Sequence, residues 1–230
     1  MKAAIMICMA AATFAAGCAT SASGSSADNA SNKPLDPDNA VLPSPQKSGG
    51  PGLFEIMQKR GSAAQASFPS GKLSASDIST LLWAASGKNR DGSKWTVPIA
   101  MGKPPYTKVF LATEEGAFSY DYDNHTIKPI TKSNILADIA TQPFARNASA
   151  TMVFVTDGEE LGKMSNSAWA DEFGVMLAGA MSQNVYLASE ALGIGARLVY
   201  SVDRDKTREL LQLGPKDKVI CAVLLGKRQK

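Results

Sequence analysis

Two periodicities organise the apolar positions of this chain. In "GLFEIMQKRG", Leu53, Phe54, Ile56 and Met57 fall on one side of a short helix, and Gly61 supplies a C-terminal stop. In "KLSASDISTLLWAASGKN", Ile78, Leu81, Leu82 and Ala85 recur at helical spacing; Ser74 or Ser76 caps the start and Gly87 ends the helix. The period then changes. "TKVFLAT" and "GAFSYDYD" read as strands joined by the acidic turn "EEG", and "HTIKPI" as a third short strand. "SNILADIAT" reads as a short helix with Ser133 as N-cap, and "SATMVFVTD" as a buried strand. A long helix is expected from about Trp169 to Leu192. Its small residues, among them Gly174, Ala178, Gly179 and Ala188, allow close approach on several sides and place it centrally. "ARLVYSV" follows as a strand, "DRDKTRELLQL" as a surface helix capped by Asp203, and "DKVICAVLLGK" as the last strand. Mixed strands and helices with a β-rich middle predict an α+β domain of two or three layers, without internal repeats.

The N-terminal region departs from this pattern. "MKAAIMICMAAATFAAGCATS" has one lysine, an apolar run and small residues before a cysteine, the layout of a secretory signal over residues 1–17. "AAGC" resembles the bacterial lipobox, in which the cysteine, here Cys18, is lipidated; Ala15 stands where leucine is preferred, and simple cleavage next to Cys18 is the alternative. Lipidation at Cys18 implies a protein of the bacterial cell envelope, facing the periplasm or the outer surface and held to the membrane by its acyl chains. Residues 18–50 are rich in Ser, Ala, Asn, Pro and Gly with no periodic apolar face, which predicts a flexible tether. The domain is expected over residues 51–230.

Composition narrows the chemistry. The net charge of +3 is small and spread along the chain, which disfavours a nucleic-acid partner. Of the three cysteines, Cys8 lies in the signal, Cys18 is the lipid site, and Cys221 stands alone in an apolar run as a buried hydrophobe, so no disulfide framework is expected in the mature domain. The single histidine, His125, sits in the turn-like "YDNHTI" and is expected at the solvent-exposed tip. That disfavours a Ser-His-Asp triad and a histidine-based metal site; no metal is expected. No P-loop is present, and Gly193-Ile194-Gly195 follows a helix rather than a strand and lacks a third glycine, unlike a dinucleotide fingerprint. The carboxylate pairs Asp171-Glu172 and Glu114-Glu115 read as solvated charges.

The segments "LSASDISTLLWAASGKNRDGSKWTVP", "KVFLATEEGAFSYD", "MSQNVYLASEALGIGARLVYSVDRDKTRELLQL" and "LLGK", in that order, resemble the flavin-dependent nitroreductase family, and more closely its single-domain branch with the "LLWAA-G-NR-DG" signature. The resemblance spans about Leu53 to Lys227. It implies an α+β fold with a mostly antiparallel sheet flanked by helices and a long central helix. It also implies an intertwined homodimer with FMN at the subunit interface, and a flavin ring lying against backbone that follows the long helix. Gly193, Ile194 and Gly195 then stop the helix and present bare backbone to the ring; a helix cap and tight turn alone is the competing account.

The family's Arg-rich phosphate segment is represented here by "KRGSAAQASF". Arg60, Gly61 and Ser62 hold its first positions, while Ala64 or Ala66 replaces the later arginine. The second flavin segment is "TVPIAMGKPPY": Thr96, Pro98 and Ala100 fit, whereas Ile99, Gly102 and Pro104 stand where the family has serine, asparagine and glutamine. Near the C-terminus Lys227 or Arg228 is the phosphate-binding cation the resemblance implies. At ~1.5–3 kcal/mol per hydrogen bond to a charged group, the missing groups cost several kcal/mol of cofactor affinity. The expected function is an exported, lipid-anchored FMN-dependent oxidoreductase with donor and acceptor unknown; the alternative is a degenerate binding or structural lipoprotein on the same fold, with weak or no flavin binding.

Overall fold

The structure, a computed structural model, describes residues 33–38, 41–99, 104–164 and 169–229. A small hairpin pairs β1 (Lys88–Asn89) with β2 (Lys94–Trp95). The main sheet has six strands: β3 (Thr107–Thr113), β4 (Gly116–Asp121), β5 (Thr126–Thr131), β6 (Ala150–Thr156), β7 (Ile194–Val199) and β8 (Lys218–Lys227). Their order is β5-β4-β3-β6-β8-β7, and every pairing is antiparallel. The mixed helix and antiparallel-sheet architecture expected from the sequence is therefore present.

The central strand shows why the sheet is covered on both faces. All of β6 is buried. Met152 and Phe154 join one hydrophobic cluster and Val153 and Val155 the other, as the two-residue period requires. On β8, Phe154 pairs with Cys221 and Val155 with Val219, so Ile220 is the extra residue of a bulge. Cys221 is buried in the first cluster, as its apolar run predicts.

Two helices cover the first face. In α2 (Ala75–Ser86) the Ser74 side chain accepts from Asp77 N–H while the Asp77 carboxylate accepts from Ser74 N–H, a complete capping box. The long helix, α5 (Trp169–Ala191), packs on α2 and β7. Gly174 permits its close approach to the sheet, since a Cβ there would lie 2.4 Å from Thr156 Oγ1. The second face is covered by α3 (Leu136–Ile139), a 3₁₀ turn (Pro143–Asn147) and α6 (Arg204–Leu210), the last capped by Asp203 as expected. The start of α3 differs from expectation: the helix begins two residues later than a Ser133 cap requires, its N-cap position is Ile135, which makes no side-chain cap bond, and Asn134 Oδ1 accepts from Leu136 N–H. The short α4 (Gly158–Met164) was not legible as a helix; Asp157 Oδ1 accepts the N–H groups of Glu159 and Glu160 at its start.

Three sequence expectations are corrected. The helix α1 (Leu53–Lys59) forms, but buries none of its residues: Leu53, Phe54 and Met57 are 58%, 84% and 53% exposed. Within the tether expected up to residue 50, residues 33–38 and 41–46 carry contacts to the domain. Leu35 and Leu42 enter the core, Ala75 N–H donates to Lys33 C=O, Gln46 N–H donates to Thr80 Oγ1, and Val41 bridges Thr126. His125 is half-buried beneath this strap rather than exposed at a turn tip. Its Nε2 lies 2.8 Å from Ser79 Oγ and 3.2 Å from Pro43 C=O, and its Nδ1 lies 2.8 Å from the Tyr120 hydroxyl. The sequence offered no hint of it, because its partners lie up to 82 residues away.

Candidate functional site

The C-terminal half of α5 gathers the segments that the sequence marks. Three of its side chains each hold one of them. Asn184 Nδ2 donates to Thr96 C=O at 3.0 Å, fixing the Thr96–Ile99 segment, which is further held by Thr96 N–H to Gly87 C=O. Tyr186, half a turn on, places its hydroxyl 2.8 Å from Ser62 Oγ and accepts from Leu198 N–H at 2.8 Å. It thereby ties the Arg60–Ser62 segment to β7. Glu190, one turn beyond Tyr186, binds Arg228 through both carboxylate oxygens, at 2.7 and 3.2 Å.

The cations at this end have different partners. The Arg60 guanidinium lies over the Tyr186 ring, 4.8 Å from its centre, and among the described residues no hydrogen bond engages its N–H fork. Arg228 is engaged by Glu190; the pairing holds the carboxyl below its ordinary value and Arg228 above its own. Lys227 points elsewhere, to Asp77 Oδ1 at 2.7 Å, the carboxylate that also caps α2. Residues 60, 62 and 228 are thus brought together around the end of α5, while Lys227 serves the capping box and Ile194 is fully buried in the first hydrophobic cluster. Gly61 is exposed, with open space at its Cβ position. Pro98 is exposed and Ile99 half-buried; Ala100, like Cys18, lies outside the described residues.

The two glycines after α5 do different jobs. Gly193 has φ +67°, the left-handed conformation of a helix C-terminus, and a Cβ there would meet nothing within 4 Å. Its carbonyl accepts from Arg228 N–H at 3.1 Å. Gly195 lies in β7 beneath Pro69: a Cβ would fall 2.3 Å from Pro69 Cγ, and one on Gly226 1.7 Å from Pro69 C=O. The bare backbone at Gly195 is therefore taken up by the Phe68–Ser70 segment, and open backbone is left at Gly193. A cavity of about 430 Å³ opens beside this segment, lined by Ala63, Ser67, Phe68, Ser70, Arg228 and Gln229.

This arrangement fits a phosphorylated ligand. It offers two guanidinium groups held against neighbouring turns of α5 and the Ser62 hydroxyl, and of these Arg228 lines the adjacent cavity. Tyr186, Glu190 and Asn184 escaped sequence reasoning as site residues. The signal was present in the i, i+4 spacing of Tyr186 and Glu190 within "QNVYLASEALGIG", which sets both on one helix face. Cys221 is no nucleophile, since burial pushes its thiol up to about 11.

Comparison with known proteins identifies the family and the fold. The profile of the Nitroreductase family matches residues 67–227. A Methanocaldococcus jannaschii protein described as a nitroreductase is 26% identical over 170 residues, covering 70% of this chain and 84% of the relative. Among solved structures, a nitroreductase-like protein of Ralstonia eutropha superposes with a TM-score of 0.77 at 25% identity, over 86% of this chain and 94% of that one. The fold is shared with the NADPH:FMN oxidoreductase of Vibrio harveyi solved with NAD+, at a TM-score of 0.51 and 18% identity, over 77% of this chain and 69% of that one.

Proposed function

The chain belongs to the nitroreductase family, and from that premise we propose that it is an FMN-dependent oxidoreductase. The observation that carries this is the α5 terminus. One helix holds Arg60 by stacking, Ser62 by a hydroxyl pair and Arg228 by an ion pair, beside a left-handed glycine with open space. Arg60 and Arg228 bind the phosphate, Ser62 the ribityl chain, and the Gly193 turn and the Asn184-held segment around Pro98 and Ile99 flank the ring. FMN, when bound, supplies hydride and electron transfer at its ring. The chain's own part is to bind, orient and exclude water. No titratable side chain is needed at the reacting atoms, in keeping with the commitment of His125 to the strap.

The exposed apolar residues of α1, together with Val175 and Met176 of α5 at 54% and 59% exposure, supply an interface for a second copy of the chain. Export and lipid attachment at Cys18 complete the proposal. Nicotinamide cofactors are scarce outside the cytoplasm, so the electron donor is of another class. A second reading, a fold that has lost its flavin, is favoured by the neutralisation of both C-terminal cations, Lys227 by Asp77 and Arg228 by Glu190. Titration of the full mature protein with FMN separates the two. Stoichiometric binding, weakened about tenfold or more by Arg60→Ala, supports the oxidoreductase; a folded protein that ignores FMN supports the second reading.

A further inference from the structure

The ion pair between Arg228 and Glu190 is placed unlike an ordinary structural pair. Glu190 lies in the last turn of α5, where the helix dipole disfavours a carboxylate, and that turn has no basic residue of its own. Arg228 reaches it from beyond the end of β8, its backbone pinned by the bond to Gly193 C=O. The guanidinium remains 43% exposed beside the cavity, while the carboxylate is 12% exposed. Lys227 and Asp77 make the opposite case. Asp77 also accepts from Ser74 N–H, so its carboxylate is locked into the α2 cap whatever Lys227 does. Among the described residues the Glu190 side chain hydrogen-bonds to Arg228 alone, while Lys59 of α1 pairs with Glu55 at 2.7 Å and only adds to the field that favours the Glu190 carboxylate.

We propose that Glu190 is a built-in competitor for the ligand's phosphate, a specificity-determining residue that holds Arg228 in a two-point grip until a phosphate replaces the carboxylate. This rests on the flavin-binding reading above. In the exchange Arg228 turns from Glu190 to the phosphate oxygens and joins Arg60, whose stacking on Tyr186 keeps it about one helical turn away. Lys59, itself ion-paired to Glu55 at 2.7 Å, offers Glu190 only a weaker attraction at longer range, so the exchange carries the cost of leaving a carboxylate without its partner, which the phosphate must exceed. The consequence is a site that discriminates only weakly between phosphorylated and unphosphorylated flavin, since Arg228 must release a carboxylate before it can take hold of a phosphate.

The test compares FMN with riboflavin, which differ by the phosphate alone, in fluorescence titrations of the full-length protein and of Glu190→Gln. The expected result is a rise of about tenfold or more in FMN affinity relative to riboflavin, the scale of one charge-assisted hydrogen bond that is no longer contested. Glu190→Asp keeps the charge but shortens the reach, and is expected to move the ratio in the same direction by less; it serves if Glu190→Gln does not fold. A merely structural pair would lower the Tm of both variants and leave the ratio unchanged. That result, or a fall in the ratio, overturns the proposal. If neither protein binds either flavin, the flavin reading fails separately, and the competitor role is decided with inorganic phosphate. A larger phosphate-induced Tm shift in Glu190→Gln than in wild type supports the role, and equal shifts overturn it.

Discussion

Replacing Leu42 with alanine tests whether the N-terminal strap belongs to the fold. Leu42 is 6% exposed and packs in the same cluster as Leu81, Leu111 and Ile127. The substitution removes three carbons, worth ~2.4 kcal/mol at ~0.8 kcal/mol per buried CH₂, and Leu→Ala changes in cores cost about 2–5 kcal/mol once the cavity is included. The strap approaches from the edge of the domain and can settle into the space, so the lower half of that range, about 2–3 kcal/mol, is expected. With a urea m-value of ~2 kcal/mol/M, the midpoint falls by roughly 1 M. The adjacent Val41 is 67% exposed and supplies the control, since Val41→Ala should cost under about 0.5 kcal/mol. Equilibrium urea unfolding followed by circular dichroism measures both. A Leu42→Ala midpoint indistinguishable from that of Val41→Ala would show that the strap frays freely and that the domain begins near residue 50.

Other outcomes follow from the same geometry. Gly226→Ala forces a Cβ onto the Pro69 carbonyl and should lower stability by about 1–3 kcal/mol, seen as a reduced Tm. Gly162→Ala, in α4 with open space at its Cβ, should raise stability by up to about 1 kcal/mol. Burial holds the His125 pKa below its ordinary value, with Lys47 adding to the effect and Pro43 C=O opposing it. The unfolded chain therefore takes up the proton first. The contribution is complete above about pH 6.5, the unfolded value, and is lost as pH falls through the folded value. The stability difference between wild type and His125→Gln should accordingly shrink between pH 7.5 and 5; a difference constant over that range would refute the burial argument. Lipid attachment predicts that Cys18→Ser abolishes acyl labelling and releases the protein from membranes, and unchanged membrane association would refute it.

The sheet was legible because its strands carry their own signal. "TKVFLAT" and "SATMVFVTD" are β-rich runs bounded by turns, and they pair directly as β3 and β6. Asp203 and Ser74 were readable as caps because capping is local. The failures share one cause, distance along the chain. His125 is buried by a strap that carries no periodic apolar face, only Leu35 and Leu42 at isolated positions. Gly195 looked available because the sequence could not show Pro69 lying on it. Arg60 and Arg228 were named as cations, but the residues that orient them, Tyr186 and Glu190, read as ordinary members of an alanine-rich helix until their partners just beyond the ends of α1 and β8 were in place.

The most direct test of the oxidoreductase is a single-turnover experiment on the mature protein loaded with FMN. The flavin is reduced anaerobically with dithionite and mixed with a nitroaromatic or quinone acceptor, and the return of the oxidised absorption band is followed in a stopped-flow instrument. The account predicts stoichiometric reoxidation faster than that of free reduced FMN at the same concentration, slowed or uncoupled from the protein in Arg60→Ala. A protein that binds no FMN, or a bound flavin reoxidised no faster than the free one, would contradict it.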